Sequence, residues 1–444
     1  MSPTSYRVMG VHWALLLLGD GVCFLGALFL ALFIRGSSAE LLIVYPVSFL
    51  LLIALSIAVL FVAGLYDSKL SLFRGRVPRM LLGAQVASAV IATGLFYFVP
   101  TLGIAPKTVL FLYILLSTTL LLLWRLRVQY LLRKRTRTPV WFLASPALTK
   151  ALEEAVGGNP TYPFTVAASA DPESPGAAAF LEAYGHEHAA MLAVEYTNPR
   201  VEELLARTSV ASTTMLDATQ IYEEVFGRVF LPSLAPLSIR TIARSDSSVY
   251  VHAKRVLDVC VAFPLFLLSL LAYPFIVAAI KLQDGGSAFI TQERVGQDGQ
   301  IIRLYKFRSM SGDDAGKYGK EGTSTLTVTS IGRLLRVTRL DELPQLWNVL
   351  RGELSLVGPR PELPALVVSY ERDIPFYRAR LTVPPGLSGW AQLYQENHPH
   401  HGLAIAQTAE KLSYDLYYLK HRSLWLDISI MARTITVLLS RTGS

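Results

Sequence analysis

Four long apolar runs crowd the first 136 residues, at Val11–Ile34, Leu41–Leu65, Met80–Val99 and Thr108–Trp124. Each is close to the ~20 residues a helix needs to cross about 30 Å of hydrocarbon. The composition of the whole chain agrees with them: apolar residues make up 52% and charged residues only 17%, against the roughly one quarter charged that is usual in soluble proteins. The first run is long, carries Asp20, lacks a small-residue cleavage site and leads into three more runs, so it reads as a span rather than a signal peptide.

Orientation follows from the basic residues. Lys69, Arg74, Arg76 and Arg79 lie between the second and third runs, and Arg125, Arg127, Arg133, Lys134, Arg135 and Arg137 follow the fourth. The other two loops carry only Arg35 and Lys107. The positive-inside rule therefore puts both termini, and everything after Arg125, in the cytoplasm. Cys23 and Cys260 both lie in apolar runs and imply no disulfide framework. The net charge of +8 gathers at membrane flanks and around one acidic pair, a distribution that suits anionic lipid headgroups and not nucleic acid.

Residues 137–246 read as a soluble α/β module. Val140–Ala144, Thr165–Ala168 and Met191–Val194 read as strands, Ala147–Val156 as a helix and Asp171–Ala179 as a loop. A dinucleotide site would place G-x-G-x-x-G after the first strand; Ala144-Ser145-Pro146 stands there instead. A structural or regulatory role is expected.

A fifth apolar run, 256–280, is long enough to span. Arg240, Arg244, Lys254 and Arg255 precede it, and Lys281, Arg294, Arg303, Lys306 and Arg308 follow. Both flanks call for the cytoplasm. Pro264 and Pro274 can each bend or break a helix, with Ser269 or a neighbouring helix satisfying the freed backbone. A re-entrant helix reconciles length with charge, whereas an ordinary fifth span would carry the remainder outside.

The chemistry lies beyond it. Gln297-Asp298-Gly299-Gln300 separates Phe289–Val295 from Ile301–Phe307 as a hairpin that delivers Lys306 and Arg308. Arg333, Arg336 and Arg339 share one helical face by spacing. Leu343, Leu346, Trp347 and Leu350 then mark an amphipathic helix, and Pro344 puts its start at Asp341 or Glu342. Asp341 as a plain N-cap would contribute about 1 kcal/mol. The surrounding cations argue for more. Lys306, Arg308, Arg336 and Arg360, the last fixed between Pro359 and Pro361, are placed to bind phosphate oxygens. Carboxylates beside such a set are expected to hold a divalent cation or to attack phosphorus.

Lys254–Met310, Leu340–Glu362, Pro385–Gln392 and Tyr414–Lys420 together closely resemble the bacterial sugar transferase family, the monotopic polyprenyl-phosphate phosphoglycosyl transferases. The four runs and the α/β module resemble its large, exopolysaccharide-initiating form. The resemblance implies a membrane protein of α plus α/β class in three parts. These are a four-helix transmembrane bundle (1–136), a Rossmann-like cytoplasmic module (137–246) and a mostly helical catalytic domain (247–444) with a re-entrant membrane helix at 256–280. It implies transfer of a sugar-1-phosphate from a UDP-sugar to undecaprenyl phosphate with release of UMP, at the cytoplasmic face of the bacterial inner membrane. Asp341 would be the nucleophile and a Mg2+ contact, Glu342 would assist with metal or protons, and Arg336 and Arg360 would hold phosphate. Glucose or galactose is the expected sugar, ahead of an N-acetylated one, and a homodimer is possible.

The family's Ser-Pro break falls near Leu270-Leu271, whereas here the prolines are at 264 and 274, and Pro384 replaces a common basic residue. His398, His400 and His401 read as loop residues without a second ligand cluster, and Asp20 as a helix-contact or interface residue. Two other classes remain open: a non-catalytic scaffold of polysaccharide assembly, and a glycolipid transferase or flippase with five true spans.

Overall fold

The computed structural model describes residues 3–36, 46–63, 65–66, 76–98, 107–133, 137–157, 159, 162, 164–185, 191–207, 215–234, 248–311, 327–395 and 404–439. The start of the second apolar run, Lys69 and Arg74, Lys134 and Arg135, Arg240 and Arg244, and the three loop histidines lie outside the described residues. Two compact units divide between Val225 and Phe226.

In the first unit the four apolar runs form helices Pro3–Ile34, Pro46–Val62, Arg76–Phe98 and Lys107–Arg133. Leu16–Ile34 and Thr108–Arg127 are long and apolar enough to cross a membrane; Ser48–Val62 and Met80–Leu95 are shorter apolar helices. Phe24, Leu28, Leu60, Leu81 and Leu121 are buried, while Phe33, Phe61, Val90 and Phe111 are exposed. Helices that are apolar all round suit a hydrocarbon surround.

Asp20 is fully buried. It forms an ion pair with Arg125 and accepts from the Tyr66 hydroxyl at 2.8 Å. Arg125 also donates to the Leu65 carbonyl at 2.8 Å. Arg125, read from sequence as a cytoplasmic flanking charge, is thus a buried partner of the first helix. Each charged group meets its opposite, which is the condition for keeping ions out of water.

After the helices comes a parallel four-stranded sheet in the order β2-β1-β3-β4. Its strands are β1 (Thr138–Leu143), β2 (Phe164–Ala170), β3 (Met191–Val194) and β4 (Met215–Asp217). Helices Pro146–Gly157, Ala177–Gly185 and Pro199–Arg207 connect them. The stretch 171–179, read as loop, already enters the second of these at Ala177.

The second unit opens with two helices, Ser248–Leu270 and Tyr273–Asp284, bent by 53° at the break between them. Pro264 sits inside the first helix without ending it. Pro274 lies in the first turn of the second helix; it cannot donate to the Leu270 carbonyl four residues back and its ring crowds that carbonyl, and the first helix ends there. The break falls at Leu271 and Ala272, whose amides turn to i−3 carbonyls, a tightening common at helix ends. Leu268, Leu271, Phe275 and Leu282 around the bend are exposed.

Beneath it, β5 (Phe289–Val295) and β6 (Ile301–Phe307) pair antiparallel as the expected hairpin. Two short pairs follow: β7 (Met310–Ser311) with β8 (Thr327–Val328), antiparallel, and β9 (Ser355–Val357) with β10 (Gly386–Ser388), parallel. Helices Ile405–His421 and Leu424–Leu439 complete the unit. Leu346, Val349, Val357, Tyr377, Leu412, Leu416 and Ile430 belong to its main core.

Candidate active site

The acidic pair is presented by a reversal of the chain. Helix Ser330–Val337 begins at Thr329, whose side chain accepts from the Gly332 amide at 2.9 Å. The helix stops at Thr338, and Arg339 turns the backbone through φ 58°. That left-handed conformation is uncommon and costly outside glycine, and such residues cluster at functional sites. A single 3-10 turn, Leu340–Glu342, then carries both carboxylates. Helix Gln345–Arg351 follows, with Pro344 at its start. The expected helix start at Asp341 or Glu342 is therefore corrected: the helix begins at Gln345 with Pro344 as its N-cap, and both carboxylates stand ahead of it. The expected arginine face is corrected too. Arg333 and Arg336 share a helix, but Arg339 lies past its end.

Glu342 Oε1 gathers three cations. Arg360 Nη2 donates to it at 2.9 Å, Lys306 Nζ is at 3.7 Å and Arg339 Nη1 at 3.9 Å. Burial alone would raise this carboxyl; Arg360, then Lys306 and Arg339, outweigh burial and hold it at about 2. Lys306 is pushed down to about 8 by burial, although Glu342 opposes the shift. Asp341 behaves in the opposite sense to its neighbour. Burial first, then the negative charge of Glu342, raise its carboxyl, partly offset by Lys306, Arg339 and Arg336. Two adjacent carboxylates with affinities pushed apart are a recurring mark of a site that needs both protonation behaviours.

Of the residues singled out in the sequence, Asp341, Glu342, Lys306, Arg336 and Arg360 share one electrostatic field. The Arg336 Nη1 lies 3.6 Å from Met310 Sδ. Arg308 lies elsewhere in detail, its guanidinium packed where a side chain at residue 286 would otherwise stand.

Three polar residues that carry no motif of their own, the buried Asn348 and Asp258 and the half-buried Arg255, fix these groups. Asn348 donates to the Arg303 carbonyl at 2.8 Å and accepts from the Tyr305 amide at 3.2 Å, joining the helix after the pair to β6. Alternation along β6 does the rest: Phe307 is buried against Ile276, Ile280 and Leu335, while Lys306 faces Glu342. Arg255 donates to the Val349 and Leu350 carbonyls at 2.6 and 2.7 Å. One turn on, Asp258 accepts from the Leu356 amide at 3.1 Å. The bent helix pair is thereby bonded to segments on both sides of Gly352. The i, i+3 spacing of Arg255 and Asp258 within an apolar helix was the available signal.

The model of the "Bacterial sugar transferase" family matches residues 249–441, which contain this whole site. An uncharacterized sugar transferase of Bacillus subtilis is 36% identical over 194 residues, 43% of this chain and 89% of that protein. The UDP-glucose:undecaprenyl-phosphate glucose-1-phosphate transferase of Caulobacter vibrioides is 38% identical over 191 residues, 42% of this chain and 70% of its own length. The chain belongs to the bacterial sugar transferase family. Similarity also extends to the UDP-N-acetylgalactosamine-undecaprenyl-phosphate N-acetylgalactosaminephosphotransferase of Aeromonas hydrophila, at 38% identity over 251 residues and 55% of this chain. The chain spans 56% of that relative, about half its length. As a bacterial sugar transferase, the protein keeps its two carboxylates and their cations inside the matched region, and Asp20 and Arg125 outside it.

Proposed function

We propose that the protein transfers a sugar-1-phosphate from a UDP-sugar to undecaprenyl phosphate, releasing UMP, as the membrane step that initiates an exopolysaccharide or capsule. The observation that carries this reading is the acidic pair at the head of a helix bonded to the bent apolar helices, with Lys306, Arg339 and Arg360 on Glu342. A phosphate-rich donor needs the cations; a lipid acceptor needs the apolar bend. By their names, the Caulobacter and Aeromonas relatives act on UDP-glucose and UDP-N-acetylgalactosamine with undecaprenyl phosphate, and one from Erwinia amylovora on UDP-galactose with a lipid carrier. Glucose, galactose and N-acetylgalactosamine are therefore the donors to test.

The finer architecture belongs to the same proposal. The four apolar helices form a transmembrane bundle in the bacterial inner membrane, with both termini cytoplasmic. The parallel sheet is a Rossmann-like cytoplasmic module, and the pair Ser248–Leu270 and Tyr273–Asp284 re-enters the membrane and returns. The bend of 53° and the basic residues on both flanks support that return.

Asp341 Oδ1 is buried with no hydrogen-bond partner, an acceptor that fits a hydrated Mg2+, which takes one or two carboxylates and completes its shell with water and substrate phosphates. Among the described residues no group of three or more acidic, histidine or cysteine side chains is placed to hold a metal ion, so the carboxylates would depend on water and substrate phosphates to complete the shell. Asp341 would hold the ion, with Glu342 beside it. When bound, it would supply positive charge for the phosphoryl oxygens.

The chain's own residues then do the chemistry. Lys306, Arg336 and Arg360 bind the diphosphate and turn the β-phosphorus toward Asp341. An Asp341 carboxylate oxygen forms a bond to that phosphorus as the bond to the α-phosphate oxygen breaks, and UMP leaves. The phosphate of the lipid attacks the resulting acyl phosphate and frees the carboxylate. Covalent catalysis divides one hard displacement into two, and fixed cations supply most of the stabilisation in phosphoryl transfer. Incubating membranes that contain the protein with undecaprenyl phosphate and each UDP-sugar in turn, and measuring UMP, tests the proposal. Release with one sugar is expected; no release with any would refute it and favour a scaffold.

A further inference from the structure

Arg360 does its work at the end of a loop that is held at every residue. The Gly358 amide donates to the Ser388 carbonyl at 2.9 Å, and the Pro359 carbonyl accepts from the Gly386 amide at 3.0 Å. The Pro361 carbonyl accepts from Arg294 Nη1 at 3.3 Å. The Glu362 carbonyl accepts from the Val295 amide at 2.9 Å, and its side chain pairs with Lys411. Gly358 approaches its neighbours so closely that a Cβ there would lie 2.6 Å from the Pro384 carbonyl oxygen.

The carbonyl of Arg360 itself is held by a buried charge. Arg380 Nη2 donates to it at 2.8 Å. The same guanidinium donates from Nε to Asp415 Oδ2 at 2.8 Å and from Nη1 to the Tyr377 hydroxyl at 3.2 Å. The side chains of Arg380 and Asp415 are each only 2% exposed, whereas that of Arg360 is 34% exposed. A continuous path therefore runs from Asp415, in helix Ile405–His421, through Arg380 and the Arg360 backbone to the Arg360 guanidinium and Glu342. A planar fork making three directed bonds fixes orientation in a way a lysine ammonium does not. Burying this pair is costly unless all its bonds are made.

We infer that Arg380, held by Asp415, is a positioning residue that aims the Arg360 guanidinium at the acidic pair. Arg380, with its side chain only 2% exposed, acts on the site through the Arg360 carbonyl it holds. This gives Asp415, in the Tyr414–Lys420 stretch, a task that the chemistry of the carboxylates leaves unassigned. The inference rests on the transferase reading for its kinetic consequence and on geometry for its structural one, so two readouts separate them.

Arg380→Lys and Asp415→Asn are made alone and on an Arg360→Ala background. Each single change should lower kcat/KM for the UDP-sugar about tenfold, mainly by raising KM. On Arg360→Ala it should cost less than about twofold, because residues acting through one another are not additive. The second readout needs no activity: modification of Arg360 by phenylglyoxal, followed by mass spectrometry, should be several times faster in Arg380→Lys than in wild type. Multiplying kinetic factors, or an unchanged labelling rate, would overturn the inference. If Arg380→Lys does not fold, Asp415→Asn, which leaves the arginine in place, decides by the same two readouts. A wild-type protein that releases no UMP ends the transferase reading, and labelling alone then decides the positioning.

Discussion

Arg360 reaches back across 18 residues to donate to Glu342 at 2.9 Å, tying a proline-flanked loop to the 3-10 turn that carries the acidic pair. The bond explains why adjacent acids can sit in a chain otherwise rich in positive charge: each cation near the pair has a carboxylate to face.

Glu342 should therefore matter to both stability and turnover. Its affinity for protons falls from an ordinary 4.5 to about 2 on folding. A depressed carboxyl stabilises the fold above its unfolded value and loses that contribution as pH falls through the folded one. Melting temperatures should accordingly drop between pH 4.5 and 2 in wild type, and less so in Glu342→Gln. Turnover of Glu342→Gln should fall by ~100-fold or more, the scale for losing a positioned acid–base or electrostatic group.

The activity profile should be bell-shaped. Asp341 must be ionised to attack; without metal, burial with the neighbouring charge raises its carboxyl, and a bound Mg2+ would oppose that shift, so the acid limb should move to lower pH as Mg2+ is raised. Lys306, pushed down to about 8, loses its charge as pH rises, which sets the alkaline limb. Arginine stays charged throughout. Lys306→Arg should then move the alkaline limb upward in kcat/KM against pH; an unmoved limb would assign it to another group.

Much of this arrangement was legible in the sequence, and the rest was hidden for identifiable reasons. The hairpin around Gln297–Gly299 and the pairing of Lys306 with the acids followed from turn chemistry and local charge. The apolar helices followed from run length. β4 has three residues and offers no period to detect. Both prolines were legible as possible breakers, but spacing does not say which one acts: Pro264 leaves its helix unbroken, while the bend falls just ahead of Pro274. Asn348, Arg380 and Asp415 act across long sequence separations, and nothing local distinguishes a buried polar residue with a distant partner from a surface one. Arg339 looked like the third residue of a helical face because its positive φ is invisible to spacing.

The Asp20–Arg125 pair makes a separate prediction for the first unit. Removing one partner of a buried ion pair leaves an uncompensated charge and costs about 3–5 kcal/mol, while replacing both with apolar residues is often neutral. Asp20→Ala should lower the thermal midpoint in detergent markedly, and Asp20→Leu with Arg125→Met should restore most of it. Equal loss in the single and the double change would mean the pair serves more than packing.

Topology is tested with single cysteines in a protein whose Cys23 and Cys260 are replaced by serine. Ala183 and Gln300 are both exposed and lie on either side of the bent helix pair. Both should be shielded from an impermeant thiol reagent in intact cells and become labelled after permeabilisation. Labelling of Gln300→Cys alone from outside would make the pair a broken span.

The covalent step is tested most directly without an acceptor. Wild-type protein given Mg2+ and the UDP-sugar alone should release UMP, and the peptide containing Asp341 should gain the mass of one sugar phosphate. Asp341→Asn should do neither while remaining folded in the membrane. UMP appearing only when undecaprenyl phosphate is present, together with substantial activity in Asp341→Asn, would contradict attack by Asp341.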